Sequence, residues 1–249
     1  MRRIIVAGNW KMNNSVRESV SLIRELGAAL DDVKGREVVV SPPFTSLYEV
    51  AKEIAGKKIR LAAQDLFWEE SGAYTGEISG SMLKDVGCEF VIIGHSERRQ
   101  FFGETDESVN KKNKAALKYN LTPIVCIGER LEEREKGKTF EIIEKQVRAG
   151  FDGFGASEMK KIVIAYEPVW AIGTGKTATP EQANEVHLFV RNLLGTLFGK
   201  EISESLPILY GGSVKPDNIK GLMEQSEIDG ALVGGASLDA KGFLKIIKF

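Results

Sequence analysis

A single carboxylate, Glu167, stands at the end of a short apolar run and in front of a glycine-rich loop. The run, residues 162–165, has the continuous apolar character of a strand that is buried on both faces. After Glu167 the chain continues through Pro-Val-Trp and the loop 173–175 to a helix whose predicted N-cap is Thr179. A carboxylate on a rigid strand end, beside a loop able to close over a substrate, is suited to act as a base.

Two other interpretations apply to the same stretch. A lone Glu at a strand end can form a structural ion pair and have no chemical role. The residues Gly175-Lys176-Thr177 resemble the end of a phosphate-binding P-loop, but that motif requires glycine at the position of Trp170. The P-loop interpretation therefore fails.

Further polar residues follow other apolar runs. Asn9 and Lys11 come after the first run, and His95 comes directly after the fourth. Ser96 is the predicted cap of a short helix over 97–102, whose N-terminal partial positive charge would disfavour a protonated imidazole at His95. Lys11 can equally be a solvated surface lysine.

The remaining charged groups near this point have several interpretations. Glu97 can orient or pair with Lys11, or serve structure alone. Arg98 and Arg99 are predicted to form structural ion pairs, and His187 is predicted to be a surface or packing residue on the helix after Thr179.

Two glycine loops follow the seventh and eighth apolar runs. They contain Gly211-Gly212-Ser213 and Gly234-Gly235, and neither carries a charged side chain among these residues. Such loops can bind phosphate through backbone N–H groups. The alternative is that the glycines only terminate strands.

The elements that position these groups are eight short apolar runs with helical patterns between them. The runs are 4–7, 38–40, 59–63, 90–93, 124–127, 162–165, 208–210 and 231–233. Eight strand–helix alternations predict parallel strands joined by crossover helices. The pattern alone does not distinguish a closed barrel from an open doubly wound sheet. The eightfold count and the length of 249 residues favour one closed (β/α)8 barrel domain over residues 1–249.

Local signals also predict particular helices. A Ser15-x-x-Glu18 capping box starts the first helix, and a Thr-x-x-Gln box starts the helix after Thr179. A helix over about 138–149 is expected to turn Phe140 inward together with Ile143 and Val147, and the last helix is expected over 240–249.

Composition excludes several classes of protein. The net charge of -1 provides no field that favours nucleic acid or membranes, and no apolar stretch approaches the ~18 residues of a transmembrane helix. Two cysteines, Cys88 and Cys126, are too few for a disulfide framework in a chain of this size. A cytoplasmic protein without a metal or cofactor is predicted, and the reactivity of the two thiols stays open.

Five stretches, in order along nearly the whole chain, resemble the triosephosphate isomerase family. They are AGNWKMN (7–13), VIIGHSERR (91–99), AYEPVWAIGTGK (165–176), YGGSVKPDN (210–218) and LVGGASL (232–238). The resemblance implies a TIM barrel and an isomerase of glycolysis and gluconeogenesis. That enzyme interconverts glyceraldehyde 3-phosphate and dihydroxyacetone phosphate through an enediolate, without a cofactor.

The resemblance also implies a role for each matching residue. Glu167 is similar to the base, His95 to the neutral electrophile and Lys11 to the cation that stabilises developing negative charge. Residues 168–178 would form a lid. The implied substrate-binding residues are Asn9, which helps to place Lys11, and Gly173, Ser213, Gly234 and Gly235, which bind phosphate through their N–H groups.

The segment 64–79 is long for a strand–helix loop and carries Trp68 and Tyr74, which makes it a predicted contact surface. The resemblance implies that it docks into a second subunit near Lys11 and His95, forming a homodimer. Two rival functions stay open at this point. One is an aldolase that uses Lys11 as a Schiff-base nucleophile, and the other is a non-catalytic sensor or scaffold for a phosphorylated ligand.

Overall fold

Eight parallel strands form a closed barrel in a computed structural model that describes residues 2–172 and 177–249. Each strand pairs with the next along the chain, and β8 pairs with β1. The strands are β1 (Ile4–Asn9), β2 (Arg36–Ser41), β3 (Ile59–Ala63), β4 (Phe90–Ile93), β5 (Thr122–Ile127), β6 (Val163–Tyr166), β7 (Ile208–Tyr210) and β8 (Gly230–Val233). All eight predicted runs are therefore strands, and the closed (β/α)8 barrel is confirmed.

Helices follow the strands and cover the outside of the barrel. In chain order they are α1 (Val16–Gly27), α2 (Leu47–Ile54), α3 (Gly80–Asp85), α4 (Ser96–Phe101), α5 (Asp106–Lys118), α6 (Leu131–Glu135), α7 (Thr139–Gly150), α8 (Ala156–Met159), α9 (Pro180–Phe198), α10 (Lys200–Ser205), α11 (Ile219–Met223) and α12 (Ala240–Ile247). Short 3₁₀ turns lie at Phe44–Ser46, Val169–Ala171 and Gly235–Leu238.

The continuous apolar character of the strands has a direct structural cause. Alternate strand residues point into the barrel, where Ile5 and Ala7 of β1 belong to a small interior cluster with residues such as Leu209. The residues between them point outward into a second, larger cluster under the helices, as Val6 does. Because both faces of each strand are buried, no polar alternation appears in the sequence.

The local helix signals are mostly correct. Ser15 caps α1 in a capping box with Glu18, and Thr179 caps α9 in the same way with Gln182. The prediction for Phe140 is wrong: α7 buries Ile143 and Val147, but Phe140 is 37% exposed and packs against Phe189 of α9 near the surface. At the start of α7, Phe140 thus finds its apolar contact on a neighbouring helix rather than in the core.

The barrel topology decides where the predicted functional residues lie. Because all strands run in parallel, the C-terminal ends of β1, β4, β6, β7 and β8 open onto one face. Of the predicted lid 168–178, the structure describes Pro168–Ile172 and residues 177 and 178. The predicted phosphate ligand Gly173 lies outside the described residues.

The prediction for His187 held two alternatives, surface or packing, and the structure decides for packing. The ring is fully buried on α9, stands edge-on to Tyr166 with centroids 5.8 Å apart, and places Nδ1 3.2 Å from the Glu227 carbonyl oxygen. Burial lowers the pKa of His187 from 6.5 to about 3. The folded protein therefore holds this ring neutral at pH values where the unfolded chain protonates it.

This burial predicts a loss of stability as the pH falls below 6.5, since only the unfolded chain then takes up the proton. Between about pH 7 and pH 5 the loss from this one group amounts to about 2 kcal/mol. The variant His187→Gln should lack this part of the pH dependence. Urea unfolding of both proteins, at equal concentration, should show the stability gap between them shrinking by that amount. A gap that stays constant with pH contradicts the assignment.

Candidate active site

One cleft at the C-terminal face collects nearly all of the predicted site residues. It has a volume of about 400 Å³. Its described lining includes Asn9, Lys11, His95, Glu167, Ile172, Gly211, Gly212, Ser213, Gly234 and Gly235. Residues from five different strand ends, separated by more than 200 positions in the chain, therefore border the same space.

Glu167 lies at the closed end of this cleft and is 2% exposed. Its Oε2 accepts a hydrogen bond from the Ser96 backbone N–H at 2.9 Å. Its Oε1 lies 2.9 Å from Nε2 of His95. Both contacts come from the segment after β4, so the barrel places the carboxylate and the imidazole in direct contact although 72 positions separate them in the sequence.

His95 itself, rather than the predicted Ser96, is the N-cap of α4. Its Nδ1 accepts the Glu97 N–H at 3.2 Å, in the manner of a capping side-chain oxygen. A nitrogen that accepts this bond carries no proton, so the ring proton lies on Nε2, facing Glu167. The capping contact thus selects one tautomer of the neutral imidazole.

The pair perturbs the pKa of both groups. Burial by itself raises the pKa of Glu167, but His95, the Ser96 N–H and Lys11 together bring it below its ordinary value. Burial lowers the pKa of His95, whereas the Glu167 carboxylate raises it, and the net pKa lies above the ordinary value. The predicted effect of the α4 N-terminus on His95 is thus outweighed while the two side chains are paired.

Lys11 is held in an unusual backbone conformation. Its φ of +52° lies in the left-handed region, which a residue with a Cβ adopts at a cost. The Lys11 N–H donates to Asn9 Oδ1 at 3.0 Å, and the Lys11 carbonyl accepts from Gln64 Nε2 at 2.8 Å. With both backbone groups fixed, the side chain extends to Glu97, whose Oε1 lies 2.5 Å from Nζ.

The two glycine loops line the side of the cleft formed by β7 and β8. Gly211 follows β7 and passes so near Glu167 that an added Cβ would lie 2.9 Å from the Cγ of that residue. Gly234 lies beside the Lys11 side chain, and Gly235 begins the 3₁₀ turn. Bare backbone in these positions leaves room for an anion between Lys11 and the loops.

The structure adds residues that the sequence analysis missed. Gln64 holds Lys11, although the sequence marked it only as the start of a long loop. Cys126 of β5 lies behind Glu167, and burial followed by that carboxylate raises the pKa of its thiol well above the ordinary value. The thiol is therefore unreactive. One feature of the sequence could have indicated this position: Cys126 lies on the strand between those that precede His95 and Glu167.

Glu129 was also missed, and it holds the start of the predicted lid. Its carboxylate is fully buried and accepts hydrogen bonds from the Tyr166 hydroxyl, from Trp170 Nε1 at 2.9 Å and from Arg134.

Arg98 and Arg99 form the predicted ion pairs. Arg98 pairs with Asp65 and Glu104, and Arg99 pairs with Asp106.

Within residues 2–172 and 177–249, no helix is long and apolar enough to cross a membrane. The same described residues contain no group of three or more His, Cys, Asp or Glu side chains that could hold a metal ion.

A (β/α)8 barrel with a carboxylate, an imidazole and an ammonium group around one cleft defines a class of enzyme that performs acid–base chemistry. A family model described as triosephosphate isomerase matches residues 4–249. Proteins named triosephosphate isomerase from Geotalea uraniireducens, Endomicrobium trichonymphae and Caldanaerobacter subterraneus are 56%, 57% and 57% identical to this chain. These alignments cover all of this chain and 99%, 99% and 100% of the relatives. The chain belongs to the triosephosphate isomerase family.

The contact between Lys11 and Glu97 is expected to affect turnover but to contribute little to the stability of the fold. Both side chains are partly exposed, so the pair contributes little to folding. The variant Glu97→Gln should lower turnover by about tenfold, because Lys11 Nζ loses the partner that holds it over the cleft. Glu49→Gln, which breaks the exposed Lys52–Glu49 pair on α2, is the matched control and should leave turnover unchanged. Equal turnover in the two variants would remove this role for Glu97.

Proposed function

We propose that this chain interconverts glyceraldehyde 3-phosphate and dihydroxyacetone phosphate, with Glu167 as the base, His95 as the electrophile and Lys11 as the stabilising cation. The observation that supports this assignment best is the convergence of these three side chains and two glycine loops on one cleft. Membership of the triosephosphate isomerase family gives the reaction, which belongs to glycolysis and gluconeogenesis. The site residues are assigned from their geometry.

The reaction begins when the substrate separates the two paired side chains. The substrate carbonyl oxygen takes the place of Glu167 Oε1 as acceptor of the His95 Nε2–H. Glu167 then removes a proton from the carbon next to the carbonyl. The electron pair of that C–H bond forms a new C=C bond, and the π pair of the carbonyl moves to its oxygen, which gives the enediolate. Glu167 returns the proton to the neighbouring carbon, while the hydroxyl proton of the first carbon is passed through His95 Nε2 to the oxygen of the second, which completes the exchange of aldehyde and ketone.

The same displacement activates the base. His95 and the Ser96 N–H hold the pKa of Glu167 low in the paired arrangement. When a substrate takes over His95 and excludes water, burial remains and a stabilising partner is lost, so the pKa of Glu167 rises toward the range of an effective base. The pKa of Glu167 is therefore expected to be raised in the substrate complex and not in the resting protein.

Lys11 and the glycine loops act on the two ends of the substrate. The Lys11 ammonium group faces the cleft between Asn9 and Gly234 and stabilises negative charge on the enediolate. The backbone of Ser213, Gly234 and Gly235 binds the phosphate, together with Gly173. Residues 168–178 form the lid, which keeps water from the enediolate and so protects it from loss of phosphate.

The geometry favours this function over the two rivals. A Schiff-base lysine must direct its amine at the substrate carbonyl carbon, whereas Lys11 Nζ is engaged by the Glu97 carboxylate at 2.5 Å. A sensor for a phosphorylated ligand needs no buried carboxylate in contact with an imidazole.

A homodimer formed through loop 64–79 is the second part of this proposal. Large exposed apolar side chains concentrate on the segments after β1 to β4, which are neighbours in the barrel. They are Met12, Phe44, Tyr48, Tyr74, Met82, Phe101 and Phe102, with Met12 96% and Phe102 69% exposed. A patch of this kind on one side of a protein marks an interaction surface. The contact of Gln64 with Lys11 would link such an interface to the site.

We also propose a cytoplasmic location. Cys88 and Cys126 are both free and buried, which agrees with a reducing compartment.

If Glu167 is the base, replacing one of its carboxylate oxygens by an amide nitrogen should strongly lower turnover. Glu167→Gln keeps the shape of the side chain but removes the base, so turnover should fall at least about 100-fold. A coupled assay for conversion of glyceraldehyde 3-phosphate to dihydroxyacetone phosphate measures it. Glu227→Gln, at the opposite end of the barrel, serves as the control with a carboxylate removed outside the cleft. Near-normal turnover in Glu167→Gln would refute the assignment of the base.

The dimer proposal predicts a position-specific effect on assembly. Tyr74 and Leu188 are equally exposed, at 44%, but only Tyr74 lies in loop 64–79. Light scattering at micromolar concentration should find a dimer for the unmodified chain and for Leu188→Glu. Tyr74→Glu should shift the protein toward monomer, because a charge is then buried in the interface. A monomer in all three samples contradicts the proposal.

A further inference from the structure

Gly94, the residue directly before His95, occupies a crowded and unusual position. It follows the end of β4 with a φ of +76°, in the left-handed region that favours glycine. An added Cβ would lie 3.0 Å from Val109 Cγ2, 3.1 Å from the Cys126 carbonyl oxygen and 3.2 Å from Arg99 Nη2. The turn that directs His95 into the cleft therefore depends on a conformation that must be held by its surroundings.

Two side chains hold this turn from its two sides. Glu104 Oε1 accepts the Gly94 N–H at 3.1 Å. Arg99 Nε donates to the Gly94 carbonyl oxygen at 2.8 Å. Buried backbone polar groups need partners, and here those partners are supplied by side chains.

Each of the two side chains is itself fixed by further contacts. Arg99 Nη1 lies 2.5 Å from Asp106 at the start of α5. The Glu104 side chain is 2% exposed and pairs with Arg98 at 2.9 Å and with Lys112 at 3.4 Å. The holding groups are thus anchored to α4 and α5.

We propose that Arg99 and Glu104 are positioning residues, which fix the Gly94 backbone and thereby aim the His95 imidazole at the reacting oxygen of the substrate. Neither side chain touches the substrate in this role. The proposal rests on the function assigned to His95 above and goes beyond it, because ion pairing alone would assign both residues to stability.

A small rotation of the Gly94 backbone is passed on to the His95 ring. The ring of His95 is fixed at Nδ1 by the Glu97 N–H, and its backbone follows Gly94 directly. Rotation of the peptide between Gly94 and His95 moves the whole ring relative to Glu167. A displacement of about 1 Å at a reacting group can cost about 100-fold in rate. Loss of either holding contact should therefore lower kcat more than it weakens substrate binding.

The position of the His95 ring can be followed by nuclear magnetic resonance with little overlap of signals, because the chain contains two histidines. Uniform labelling of histidine with ¹⁵N yields four ring nitrogens, two from His95 and two from His187. The His187 signals report on α9 and its contact with Tyr166 and serve as an internal control. The measurement uses the resting full-length protein without substrate.

Arg99→Lys is the first test. Lysine keeps the charge but lacks the Nε–H that donates to the Gly94 carbonyl. The His95 ring signals should shift while those of His187 stay in place, and kcat should fall about tenfold to 100-fold with KM changed less than about threefold. Arg191→Lys is the matched control, since Arg191, like Arg99, donates to backbone carbonyls and pairs with an aspartate, here Asp229. It should move the His187 signals and leave those of His95 and kcat unchanged.

Glu104→Gln and Glu104→Met separate the backbone contact from the ion pairs. Both variants remove the charge that faces Arg98 and Lys112, but only Gln keeps an oxygen that accepts the Gly94 N–H. The His95 signals and kcat should stay closer to those of the unmodified protein in Gln than in Met.

Equal effects of Gln and Met, or an Arg99→Lys variant with unchanged His95 signals, would overturn the proposal. If the unmodified protein shows no isomerase activity, the proposed function fails, whereas the ring signals still report whether Arg99 and Glu104 position His95.

Discussion

The arrangement of the cleft depends on one contact, between the buried carboxylate of Glu167 and the imidazole of His95, which caps α4 after a strand two positions away in the barrel. Glu167 extends from β6, and both of its hydrogen-bond partners come from the segment that follows β4. Burial alone would make the carboxylate a weak acid, and the partners alone would make it a poor base. Under the proposed function, the resting protein holds Glu167 in a stabilised form, and a substrate must compete for His95 to release it. Substrate binding would then activate the proposed base in the same step.

The same structural device supports two of the three positions proposed to be catalytic. At Lys11, a strained backbone is held by Asn9 on its N–H and by Gln64 on its carbonyl. At Gly94, before His95, the N–H is held by Glu104 and the carbonyl by Arg99. In both places the strand has ended and side chains take over its hydrogen bonds. In the proposed site, polar side chains in or near the cleft thus restrict backbone that a strand no longer restricts.

Much of this arrangement could be predicted from the sequence. The eight apolar runs, the capping boxes of α1 and α9 and the polar residues at strand ends are local features, and the structure agrees with them. The exposed Phe140 and the cap of α4 could not be foreseen, because both depend on neighbours from other elements. His95 replaces Ser96 as the cap because its Nδ1 accepts the Glu97 N–H two residues later in the chain. Residue type alone does not predict this contact. Of the exposed apolar side chains in the proposed interface, the sequence marked only Tyr74, as part of the long loop 64–79.

The sequence by itself determined the eight strand–helix units and the residue types that follow each strand. The physical reason is that hydrophobic burial and strand length act locally and repeat eight times along the chain. Only the tertiary structure decided that the strands close into a barrel and which of these groups meet. The proton of His95 lies on Nε2 because of a backbone N–H after β4, and the charge of Lys11 is placed by Glu97, 86 positions later in the chain. Electrostatic interactions depend on distance in space, and closure of the barrel is what converts distant positions into contacts.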